Sequence, residues 1–196
     1  MTLDEARHKY LSLIEELNPN SEHLTDDPDI AAKQNDVVNQ VMFELARMKK
    51  IAKYVEMEVH AGDLITFADI EKKCGYEIYQ VSLFGGVNHS IKANGTVFKV
   101  LEDGTAEIDV FVYPERITPK TKGSYEFELS ADALEIMPYG VAGDLLKSDV
   151  SELLGNFIDT HDSMADKLRN KYTINDSETK GKGPGEGPRY ESNYRR

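Results

Sequence analysis

The spacing of the apolar residues changes twice along this chain. It runs at three-and-four intervals, switches to alternation near Tyr54, and returns to three-and-four near Ser130. A segment patterned for one face of a helix does not serve as a strand, nor the reverse, so the switches dictate helix, strand and helix in that order. Leu3, Ala6, Tyr10, Leu13, Ile14 and Leu17 fall on one helical face, which Asn18-Pro19-Asn20 brings to an end. Asp27-Pro28-Asp29 opens a second helix. Asp27 can cap free N–H groups, Pro28 stands where its missing donor does no harm, and Asp29 suits the positive end. Ile30, Gln34, Val37, Val38, Val41, Met42, Leu45, Met48 and Ala52 continue the stripe. The spacing therefore predicts a helix over Pro28–Lys53, about 39 Å long at a rise of about 1.5 Å per residue.

From Tyr54 the period is two. Tyr79 to Phe84 alternates and ends at Gly85-Gly86, and Asn94-Gly95 marks a turn. Val97–Leu101 and Ala106–Tyr113 are joined through Glu102-Asp103-Gly104-Thr105, and Asp-Gly between two alternating runs predicts a hairpin. Asp69 to Lys73 reads as a single helical turn within this region. Residues 54–128 are expected to form a small antiparallel sheet or sandwich. Beyond Ser130 the stripe resumes at Leu134, Met137, Val141, Leu145, Val150, Leu153, Phe157, Met164 and Leu168. Pro138 lies inside it and is expected to kink or restart the helix. Gly140, Ala142 and Gly143 form a small-residue patch that another backbone can approach closely. The fold class expected is α+β: a helical bundle with long helices, an inserted small antiparallel β domain and a flexible C-terminal tail. The boundaries expected are 1–53 and 129–170 for the helical domain, 54–128 for the β insert and 171–196 for the tail.

Charge narrows the function. The 196 residues carry 23 Lys plus Arg against 35 Asp plus Glu, a net charge of −12. A chain so acidic is poorly suited to wrapping a phosphate backbone. No apolar run is long enough to span a bilayer, and MTLDEARHKY has neither the basic nor the apolar region of a secretory signal. A soluble intracellular protein is expected. Residues 171–196, by contrast, hold six basic and four acidic residues, with four Gly and two Pro among the last twenty and no aliphatic residue after Ile174. Such a segment buries too little apolar area to offset its ordering entropy, so it is expected to be disordered when free. Arg189, Tyr190, Tyr194, Arg195 and Arg196 are residue types that anchor interfaces. A docking segment and an unused flexible end are both open.

Chemistry has little to stand on. There is no phosphate-binding glycine loop, HExxH, EF-hand loop or nucleophile elbow. Gly181, Gly183, Gly185 and Gly187 alternate in a polar tail with no strand before and no helix after, which a dinucleotide fingerprint requires. Cys74, the single cysteine, excludes an intramolecular disulfide and multi-cysteine metal sites, and reads as a free structural thiol beside Lys72 and Lys73. His8, His23, His60, His89 and His161 are scattered. Asp159, Asp162 and Asp166, at i, i+3 and i+7 beside His161, form either a carboxylate metal site or, more simply, a solvated helix face. No catalytic residue, metal or cofactor is expected.

Three stretches carry a resemblance. They are Asp29-Ile-Ala-Ala-Lys-Gln-Asn-Asp-Val-Val-Asn-Gln-Val-Met, Phe98-Lys-Val-Leu-Glu-Asp-Gly-Thr-Ala-Glu-Ile-Asp-Val-Phe-Val-Tyr-Pro114 and Ala133-Leu-Glu-Ile-Met-Pro-Tyr-Gly-Val-Ala-Gly-Asp-Leu-Leu-Lys-Ser-Asp-Val-Ser151. From about residue 28 to 170 the chain resembles the head–tail connector (adaptor) proteins of tailed phages that infect Gram-positive hosts. The Met-Pro-Tyr-Gly-Val-Ala…Leu-Leu-Lys-Ser-Asp run is the distinctive part, and the β insert is larger than the compact helical adaptors of that family. The resemblance implies a non-enzymatic virion protein of the neck, made in the host cytoplasm. It would form a homo-oligomeric ring, twelvefold by expectation, between the portal protein and a neck (stopper) or tail-completion protein. Double-stranded DNA would pass through its channel without sequence-specific binding, and no membrane is involved. Lys180, Lys182, Arg189, Tyr190, Tyr194, Arg195 and Arg196 would form the portal-binding tail, and Pro138, Tyr139, Gly140 and Gly143 a subunit or neck contact. The competing readings are an intracellular ligand- or peptide-binding module on a helical stalk, and a hydrolase using Asp159, Asp162 and Asp166.

Overall fold

Capping side chains set where the helices begin. A computed structural model describes residues 1–146 and 152–179. Helix α1 (Leu3–Leu13) starts at Thr2, whose hydroxyl accepts from the Glu5 N–H while the Glu5 carboxylate accepts from Thr2 N–H at 2.9 Å. Helix α2 (Pro28–Met48) starts at Asp27, which accepts from the N–H groups of Asp29 and Ile30. Helix α3 (Phe67–Cys74) begins with a second reciprocal box between Thr66 and Asp69 and ends on Gly75, at φ +79°. Helix α4 (Ala131–Leu145) is capped by Ser130, and helix α5 spans Glu152–Thr179. Pro138 does not restart α4: the helix continues through it.

The strands form two three-stranded antiparallel sheets. In one, β6 (Gly104–Val112) lies between β1 (Ile51–Val59) and β3 (Ile78–Gly85). In the other, β5 (Val97–Val100) lies between β2 (Leu64–Thr66) and β4 (His89–Lys92). The expected hairpin between Val97–Leu101 and Ala106–Tyr113 is therefore not made. β5 and β6 are the centres of different sheets, and Leu101–Asp103 is a corner between them. Long-range pairing overrides the local Asp-Gly signal: Val100 N–H donates to Asp63 O and Leu101 N–H to Asn88 O, both at 2.9 Å. Gly86 (φ +79°) sits where a Cβ would lie 2.3 Å from Thr105 O, so β6 can begin only beside a glycine. The Asn94-Gly95 turn joins β4 to β5.

The expected bundle of long helices is not evident; the fold is mixed α+β, with five helices and two small antiparallel sheets. α1, α3 and α4 have 11, 8 and 15 residues, and α2 stops at Met48 after 21 because Ile51–Lys53, on the helical stripe by spacing, pair with Val112–Val110 as the start of β1. The apolar residues divide between two cores. One gathers α1, α2, α4 and α5 around Tyr10, Val38, Met42, Met137 and Val141; the other joins the two sheets and α3 around Ile70, Phe84, Phe98 and Ile108. Residues 113–130 form an irregular strap on the helical core. Asn39 holds it by donating to Ile117 O at 2.8 Å and accepting from Ile117 N–H at 2.7 Å. Leu3 N–H donates to Tyr125 O at 2.8 Å, which ties the same strap to α1.

Candidate functional site

Among the residues singled out in sequence, the tail set (Lys180, Lys182, Arg189, Tyr190, Tyr194, Arg195, Arg196) lies outside the described residues. Pro138, Gly140 and Gly143 are buried and Tyr139 is half-buried. The close approach that the small residues permit is made by the same chain. A Cβ on Gly140 would come within 2.7 Å of the His161 ring of α5 and 2.9 Å of Val41 of α2, and one on Gly143 within 3.3 Å of Ile158. A groove of about 650 Å³ between α1, α4 and α5 is lined by Leu13, Glu135, Pro138, Tyr139 and Met164.

The acidic face of α5 does not converge on a metal. The Asp162 carboxylate lies 3.1 Å from His161 Nδ1, and Asp166 binds Arg169 at 3.0 Å. No group of three or more His, Cys, Asp or Glu placed to hold a metal occurs among the described residues. His161 is buried with Nε2 lacking a partner, pressed against Gly140. Cys74 is half-buried, its Sγ 3.5 Å from Tyr76 O. No described helix is long and apolar enough to cross a membrane.

What the structure assembles, and the sequence reading missed, is a junction and two sheet faces. At the junction, aromatic rings run from α2 to the root of the sheet: Phe43 to Tyr113 at 4.7 Å, Tyr113 to Tyr79 at 4.8 Å and Tyr79 to Phe111 at 6.3 Å between centroids. Cations close both ends, with Arg116 4.8 Å from the Phe43 centroid and Lys50 4.4 Å from that of Phe111. Tyr79 donates to Ala46 O at 3.2 Å, and Arg47 donates to the Tyr113 hydroxyl at 2.5 Å. Burial, chiefly, raises the pKa of the Tyr79 phenol. This ladder fixes the β unit to the end of α2. The clue in sequence was a cation beside each aromatic stretch, but its pairing spans three elements.

The outward face of β1-β6-β3 is acidic. Register places Glu56 directly opposite Glu107, and Asp109 between Tyr54 and Leu83. Like charges opposite one another destabilise a ladder. Tyr54 donates to Glu56 at 2.9 Å, and that bond, with the neighbouring carboxylates, pushes its phenol up to about 12. The outward face of β2-β5-β4 is the reverse in charge. Leu64, Lys99 and Ser90 share one row, Thr66, Val97 and Lys92 the next, and Lys92 and Lys99 are exposed. The two inner faces pack on each other, with Phe84 stacked on Phe98 at 4.5 Å. No protein-family model matches this chain, and no curated protein sequence does either.

Proposed function

We propose that this chain is a structural head–tail connector (adaptor) of a tailed phage, a ring subunit beneath the portal that links it to the next neck or tail component around the DNA channel. The observation that carries the reading is where the resembling stretches lie. Residues 29–42 are on α2 and residues 133–145 on α4, and these two helices supply the centre of the helical core through Val38, Val41, Met42, Met137 and Val141. Two of the three resembling stretches therefore fall on residues that build the helical body, and the third, residues 98–114, runs through β5 and β6 at the centres of the two sheets. A ring contact is heterologous and needs two different faces on each subunit, and the β unit offers two of opposite charge. The acidic body suits a channel through which DNA slides without adhering. In this reading the chain is not an enzyme, and the basic, tyrosine-bearing segment 180–196 docks into the portal.

Mass spectrometry of purified virions tests it. A copy number near one per portal subunit in DNA-filled particles is expected, and absence from intact particles overturns the reading. Deleting residues 180–196 is expected to leave a folded chain that no longer joins the portal; normal neck assembly by that variant removes the docking role.

A further inference from the structure

The β unit is a sandwich with two unlike outer surfaces. Tyr54 and Leu83 on one, and Leu64 and Leu101 on the other, are each more than half exposed. Around Tyr54 and Leu83 stand Glu56, Glu58, Glu107 and Asp109; around Leu64 and Leu101 stand Lys92 and Lys99. Glu58, Glu107, Lys92 and Lys99 form no ion pair among the described residues. Carboxylates also stand at the margin of the lysine face, each held by a neutral N–H: Asp63 accepts from His60 N–H, Glu102 from Asn88 and Asp103 from Ala61 N–H. Each surface thus has exposed apolar residues beside charges that form no ion pair: carboxylates predominate on the first, with Lys73 at its edge, and the two lysines stand on the second.

We infer that the occupant of the acidic face is the lysine face of a second copy of this chain. The contact is head-to-tail: sheet β1-β6-β3 of one copy lies on sheet β2-β5-β4 of the next. Leu64 and Leu101 meet Tyr54 and Leu83, while Lys92 and Lys99 neutralise Glu56, Glu107 and their neighbours. An isologous contact would set Glu107 against its own like and is disfavoured. The same contact adds cations to the crowded Glu56–Glu107 pair, which within the unit has the Tyr54 hydroxyl's bond to Glu56. Stacking needs no portal; only its closure into a ring rests on the connector reading.

Full-length chain, half of it isotope-labelled, is treated with a zero-length carbodiimide at high protein concentration and low salt, and amide cross-links between copies are mapped. Links from Lys92 or Lys99 to Glu56, Glu58, Glu107 or Asp109 of another copy are expected. Inter-copy links confined to other surfaces, or none, overturn the proposal. In sedimentation velocity, K92E/K99E alone and E56K/E107K alone are each expected to weaken self-association about tenfold, and mixing the two variants to restore it through the intact and the doubly reversed faces. Failure of the mixture to associate overturns the head-to-tail geometry and is not explained by misfolding, because each variant's fold is checked by its own circular dichroism. Virion copy number is unaffected by this outcome, so failure of the stacking and failure of the connector reading are read separately.

Discussion

The helical body and the β unit solve the same packing problem with different materials. Thr25, Gln34, Asn39 and His161, the buried polar residues among those described, all belong to the helical body or its loops; the core shared by the two sheets and α3 is apolar. In the body, polar pairs choose one arrangement: Tyr10 donates to Gln34 at 2.9 Å between α1 and α2, and Asn39 reads both backbone groups of Ile117. In the β unit, specificity comes from register, a bulged strand and one glycine placed against a carbonyl. A buried polar pair fails all at once when one partner is lost, whereas an apolar core fails in proportion to the volume removed.

That contrast is open to measurement by urea unfolding. The largest effect is expected from Ile108→Ala, fully buried at the centre of the sheet core, at about 4 kcal/mol of lost stability. Asn39→Ala should lose about 3 kcal/mol, because the N–H and C=O of Ile117 are left buried without partners. A loss under about 1 kcal/mol there would mean that the strap is held by its apolar residues, Ile117 and Phe127, and the contrast would collapse. Tyr10→Phe should lose about 1 kcal/mol at neutral pH, from one buried hydrogen bond. It also changes the alkaline limb. Burial raises the Tyr10 pKa above the ordinary phenol value of about 10, so its contribution is complete below that pH and declines as pH rises toward the folded value. The variant's urea midpoint is therefore expected to fall less than the wild type's above pH 10, the ordinary phenol value. Smallest, and opposite in sign, Glu107→Thr should raise stability by about 0.5 kcal/mol by relieving Glu56. The same variant should weaken self-association, so the unit would gain stability where it loses its contact.

Local signals foretold what local forces decide. Asp27-Pro28 marked the start of α2 and Asn94-Gly95 the β4–β5 turn, because capping and positive φ act within a few residues. Three features set by distant partners were not legible. Ile51 and Lys53 continue the helical spacing of α2 yet pair with Val112 and Val110. Asp103-Gly104 reads as a hairpin yet turns a corner between sheets, because β2 and β4 claim β5 while β1 and β3 claim β6. The strap looks like part of the β region, yet Ile117 is held by Asn39 of α2, and Gly123 and Tyr125 accept from Asp4 and Leu3 of α1. The sheet faces are partly written in the alternation, which sets Ile108, Val110 and Val112 on one side of the strand and Asp109 on the other. The opposite charge of the second sheet required knowing that β5 had left the first.

The pairing of Ile51 with Val112 carries a consequence for how the chain is put together. The backbone leaves the body and returns to it at two residues that face each other across one antiparallel ladder, about 5 Å apart at Cα. From the body's side, everything between them is a long loop whose two ends are held together by its own strands. The closure entropy of the insertion is thus borne by β1 and β6 rather than by α2 and the strap. Replacing residues 51–112 with two or three glycines would span the same gap, making this position a natural place for the chain to gain, lose or exchange a module while its helices keep their packing.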